Sequence, residues 1–104
     1  MIRGDTVEQT ERRSMHAALV AVTIEGDVEK AQANLRENVV PMVRQSPGFV
    51  AGYWIRDGGV GRGVIVFETD DAAQAASERI SERIGENPGV TLKGVTVGEV
   101  VASA

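Results

Sequence analysis

The sequence has no cysteine and a single histidine. Without cysteine there is no disulfide framework, no thiolate metal site and no thiol nucleophile. With one histidine, His16, there is no metal-ligand spacing, and only one side chain has an unperturbed pKa near neutrality. Neither a metal nor a cofactor is expected. Positive charge is also short: 11 Lys and Arg against 15 Asp and Glu give a net charge of −4, and the basic residues are scattered. Nucleic acid and anionic membranes, which require a basic field, are therefore not expected partners. No apolar run approaches the roughly 20 residues of a membrane span, and residues 1–14 lack the apolar centre of a signal peptide. The expectation is a soluble cytoplasmic chain. Arg3-Gly4-Asp5 spells an adhesion tripeptide, but without secretion it reads as part of a polar N-terminal arm over residues 1–14, upstream of a domain over 15–104.

Aromatic residues make up only 4% of the chain, yet its one Trp, one Tyr and both Phe fall within residues 47–68. That stretch, PGFVAGYWIRDGGVGRGVIVFE, reads as two strands over 49–56 and 60–68. They are joined at Asp57-Gly58-Gly59, where glycine can take the positive φ of a tight hairpin. Around it, residues 15–24 are nearly continuously apolar and form a first strand. Asp27 is placed as the N-cap of a helix whose apolar stripe is Val28, Ala31, Leu35, Val39 and Met42. Pro41 lies inside that helix and predicts a kink or break before it. Thr69 or Asp70 caps a second helix, running to about Gly85, with Ala73, Ala76, Ile80 and Ile84 as its buried stripe. Residues 90–101 form the last strand.

The order is β-α-β-β-α-β, a ferredoxin-like α+β plan with a four-stranded antiparallel sheet of spatial order 4-1-3-2. Both helices cover one face of this sheet. The first strand is nonetheless apolar on both sides, with Ala18, Val20, Val22 and Ile24 opposed to Ala17, Leu19, Ala21 and Thr23. A 104-residue chain has no further element for the open side. A second copy, packed sheet against sheet, is the expected cover, giving a homodimer.

Four features carry a family resemblance: Pro47-Gly48-Phe49 opening the second strand, the Arg56-Asp57-Gly58 turn, Gly61-Arg62-Gly63 opening the third, and Phe67-Glu68-Thr69-Asp70-Asp71-Ala72-Ala73 leading into the second helix. Together they resemble the dimeric α+β barrel superfamily, closest to antibiotic-biosynthesis-monooxygenase-like domains. The resemblance implies two subunits pairing into a barrel. It spans cofactor-free oxygenases of polycyclic phenols, haem-degrading enzymes and members of no known activity. The haem-degrading members carry an Asn on the first strand, a Trp ending the third and a His on the second helix. This chain has no Asn in the first strand, Phe67 at the Trp position and no His in the second helix.

Candidate site residues come from the hairpin. A Gly58-Gly59 loop sets residue 54 opposite 63, 56 opposite 61 and 52 opposite 65, so Trp54 is ringed by Gly52, Gly61 and Gly63, leaving room for a flat ligand. A partner's side chains filling that room is the alternative. Trp54, Tyr53 and Phe67 are the expected substrate-binding residues for a small aromatic ligand; Arg56 and Arg62 are expected to stabilise its anion. His16 at the start of the first strand can approach Glu68 and serve as a base, or stand as an exposed strand-end histidine; the same geometry brings Arg62 towards Glu25. Two functions remain open: a cofactor-free monooxygenase for a small aromatic or polyketide-like substrate, and a non-catalytic ligand-binding or structural homodimer with a closed core.

Overall fold

The computed structural model describes residues 14–104. The Arg3-Gly4-Asp5 tripeptide and the polar arm, apart from Ser14, lie outside the described residues. Strand β1 (His16–Ile24) is followed by helix α1 (Val28–Asn34), a π-helical turn (Leu35–Val39) and helix α2 (Val40–Arg44). The hairpin β2 (Phe49–Asp57) and β3 (Val60–Phe67), helix α3 (Asp70–Gly85) and β4 (Val90–Glu99) complete the chain. The sheet order is β2-β3-β1-β4 with antiparallel neighbours throughout, which is the expected 4-1-3-2 arrangement.

Local chemistry explains the boundaries. The Asp27 carboxylate accepts the Lys30 backbone N–H at 3.1 Å and starts α1. The Thr69 hydroxyl accepts the Ala72 N–H at 3.0 Å and starts α3, whose first turn also carries Asp70 and Asp71 at the positive end of the helix dipole. Gly58 has φ +62° and Asp57 pairs with Val60, so the hairpin loop is two residues long. That fixes Trp54 opposite Gly63, Arg56 opposite Gly61 and Gly52 opposite Ile65, as the loop length predicts.

The interruption expected at Pro41 takes the form of the π-turn. The Val40 N–H bonds back to the Leu35 carbonyl, one residue further than in an α-helix. Proline offers no N–H and crowds the carbonyl four residues earlier, and a wider turn just before it relieves that clash. The widening also shifts the phase of the apolar stripe. Val43 is fully buried beside Val39, whereas Met42 is only partly covered.

The core lies between the sheet and the helices. Ala18, Val20, Ile65 and Phe67 point up from the sheet to meet Val39 and Val43 from α1–α2 and Ala73, Ala76 and Ile80 from α3. The two alanines let α3 settle closely on the strands. A bulge at Val50 pairs Phe49 with Phe67 rather than with the following residue, and so turns Phe49 onto the helical side. There the two rings meet edge-on, with centroids 6.2 Å apart at 74°. The other side of the sheet carries Leu19, Tyr53 and Ile55, which are 45%, 67% and 58% exposed. This is the uncovered apolar face that the two-sided pattern of β1 anticipates.

Candidate functional site

A cavity of about 410 Å³ opens between the two layers, near the hairpin end of the sheet. Its floor is Val20, Val22 and Ile24 of β1 with Trp54, Gly61 and Gly63 of the hairpin. Its roof is Ala31 of α1 with Leu35 and Val39 of the π-turn, and Ile80 and Ile84 of α3 close one side. Polar residues are few: Gln32, Asn34, Asn87 and the arginines Arg36, Arg56 and Arg62. The volume falls within the ~300–1,000 Å³ usual for small-molecule sites, and the mixture of apolar walls with sparse polar groups matches their chemistry.

The glycines beside Trp54 serve differently from the sequence reading. They do not leave a void at the level of the ring; they are the seat on which the ring lies. A Cβ on Gly52 would stand 2.9 Å from the indole Cη2 and 3.0 Å from Cζ3, while one on Gly63 would stand 3.2 Å from Cδ1 and 3.3 Å from Nε1. The indole therefore rests on bare backbone at both ends, and the open volume lies above it, towards the helices. At Gly61 the space beside the backbone is taken by Val22, whose Cγ2 would be 2.9 Å from an added Cβ. Among the described residues the indole N–H has no hydrogen-bond acceptor, so it offers a donor in an otherwise apolar floor.

Of the residues expected at a site, Trp54, Arg56 and Arg62 border the same cavity. Arg56 lines the cavity and donates from Nη1 to the Gly58 carbonyl at 2.9 Å, which holds its guanidinium near the hairpin turn. Tyr53 falls on the opposite face, because consecutive residues of a strand point to opposite sides. Arg62 alternates to that face for the same reason, yet it borders the cavity between Gly61 and Gly63. Phe67 is fully buried against Phe49 and belongs to the core. His16 sits at the far end of β1, opposite Phe67 and Glu99, with Nδ1 3.0 Å from the Ser14 carbonyl oxygen.

Neither of the side-chain pairs that the sequence allowed is made. No hydrogen bond or ion pair joins His16 to Glu68. Arg62 stands opposite Ala21, four positions along the chain from Glu25, and no ion pair joins Arg62 to Glu25. Sequence reasoning also missed the roof of the cavity, Arg36 above all. Its signal was its place beside Leu35 just ahead of Pro41, where the helix had to widen. Among the described residues no group of three or more His, Cys, Asp or Glu side chains is placed to hold a metal ion.

No family model matches the sequence. No curated protein matches it at a significant level. Solved structures do match its shape. A candidate antibiotic biosynthesis monooxygenase from Chloroflexus aurantiacus superposes with a TM-score of 0.64 at 13% identity, covering 88% of this chain and 97% of the other. A monooxygenase from the ActVA-Orf6 gene of Streptomyces coelicolor, solved with the ligand nanaomycin D, gives 0.64 at 19% identity, covering 88% and 92%. A protein of unknown function from Nitrosomonas europaea gives 0.63 at 15% identity, covering 89% and 95%. At these identities the likeness is one of fold: the chain shares the βαββαβ fold of these structures, the candidate antibiotic biosynthesis monooxygenase among them.

Proposed function

We propose that the chain works as a homodimer, joined through its open sheet faces, in which each protomer binds a small planar aromatic molecule over Trp54. The exposed apolar side chains of Leu19, Tyr53 and Ile55 supply a surface for the second copy. The ligand site is separate from that surface, on the helical side of the sheet. The observation that carries the reading is the cavity itself: an indole lying along its floor, its N–H without an acceptor among the described residues, beneath an aliphatic roof. The similar Streptomyces coelicolor monooxygenase, solved with nanaomycin D, favours oxygenation as the reaction.

The chemistry would be oxygenation of an electron-rich ring by molecular oxygen. An enolisable ring CH2 loses a proton, and the resulting anion passes electrons to dioxygen and forms a C–O bond. Loss of the second proton with cleavage of the O–O bond leaves a C=O group, and the other oxygen departs as water. Trp54 would stack on the ring, and Arg56 would stabilise the anion. Among the described residues no Asp, Glu or His lines the cavity, so the first proton goes to water from a substrate that is acidic in its own right. That same lack of an acid or base favours a second reading, a non-catalytic binder of aromatic molecules.

Titrating the fluorescence of the only Trp with polycyclic phenols and hydroxyquinones, while following oxygen uptake, tests both readings. Saturable quenching with oxygen consumption supports the oxygenase. Quenching without consumption supports the binder, and no quenching by any compound removes both.

A further inference from the structure

We infer that the cavity selects planar ligands carrying one ionised acidic group, a carboxylate or phenolate, held between Arg36 and Arg56. This rests on the reading of the cavity as a ligand site and adds the charge class of its ligand. Arg36 belongs to the π-turn and Arg56 to the end of β2, so the two arginines line the same cavity from opposite layers. Both residues are exposed, which places them at its mouth. Among the described residues no carboxylate lines the cavity to neutralise them. Arg36 has no hydrogen bond or ion pair among the described residues, and Arg56 uses one nitrogen on the Gly58 carbonyl. Most of the ten N–H donors of the two side chains are therefore available.

The surroundings make this pair distinctive. The chain carries a net charge of −4, so its general field repels anions, and a pair of arginines lining one cavity, with no carboxylate among the described lining residues, is a local reversal of that field. At physiological salt the far field fades within about 8 Å, and a ligand at the mouth feels the nearby cations. The planar guanidinium fork suits a two-oxygen anion better than an ammonium does. Beyond the mouth the walls are apolar, with Val22, Leu35 and Ile84 around Trp54. A ligand with its charge at one edge and a bare ring system behind it matches this division.

Calorimetric titration of the full chain with naphthoate and with its neutral analogue naphthamide tests the inference. Naphthoate is expected to bind at least roughly tenfold more tightly, the low end of a charge-assisted hydrogen bond. Arg36→Gln is expected to erase most of that preference while leaving naphthamide unchanged, and Arg36→Lys to keep part of it. Arg56→Gln, at the opposite layer, should act in the same direction, so the outcome does not hang on one variant. Equal affinity for the two compounds, or a preference that survives both glutamine variants, overturns the charge selection and leaves the aromatic site standing. Failure of both compounds to bind overturns the selection together with the aromatic site.

Discussion

Gly52→Ala isolates the seat beneath the indole from every other feature of the cavity. The new methyl carbon would lie 2.9 Å from Cη2 and 3.0 Å from Cζ3 of Trp54, where ordinary contact begins near 3.4 Å. The ring must withdraw by about half an ångström, and since Gly52 lies beneath it the direction is up into the cavity. Overpacking of this kind costs about 1–3 kcal/mol. Against it stands a gain of about 0.4–1 kcal/mol, because alanine has fewer unfolded conformations to lose than glycine. The net expectation is destabilisation of about 0.5–2 kcal/mol, or a melting temperature lower by several degrees at about 4–8 °C per kcal/mol. Gly85→Ala is the matched control. An added Cβ there meets nothing within 4 Å at the end of α3, so the same chemical change should be neutral or stabilising. Thermal unfolding with tryptophan emission reads both effects: the Gly52 variant should melt earlier, shift its emission and bind aromatic ligands more weakly. Unchanged melting, emission and affinity would show that the indole does not rest on Gly52.

Other substitutions test the remaining parts of the account. Leu19→Asp combined with Tyr53→Asp places charge on the open sheet face at two residues that do not line the cavity, and analytical ultracentrifugation should show dimers for the parent chain and monomers for the variant. Phe67→Ala removes a fully buried ring with its edge-on partner Phe49 and should cost about 3–5 kcal/mol in denaturant unfolding. Thr69→Ala deletes the hydroxyl that accepts the Ala72 N–H and should cost about 1 kcal/mol, restored in large part by Thr69→Ser.

The parts of the fold that were legible in the sequence are those governed by neighbouring residues. Asp27 and Thr69 announce their helices because a capping side chain acts over three positions. Gly58-Gly59 sets the hairpin register because a two-residue loop leaves no freedom in the pairing that follows, and that register places Trp54 beside its glycines. The strand order follows from chain connectivity and handedness. What escaped depends on how layers meet. Pro41 signals an interruption, but not that a π-turn would absorb it, so Val43 was missed from the stripe and Arg36 from the cavity. The bulge at Val50 has no signature of its own, though it decides the face on which Phe49 lies. Three glycines around a tryptophan read equally as a void or a seat until the orientation of the ring is known. Tyr53 was within reach of sequence reasoning, since strand alternation alone separates it from Trp54.

The central claim is that a planar ligand sits over Trp54, between sheet and helices, within each protomer. With one Trp in the chain, the nitrogen–proton NMR spectrum contains one indole N–H signal, from a group without a protein acceptor among the described residues. Titration with a hydroxyquinone should move that signal together with the amides of Leu35, Gly61 and Gly63, while Thr96 on the open face stays still. A titration that leaves the indole signal in place, or moves only residues of the open face, would contradict the account.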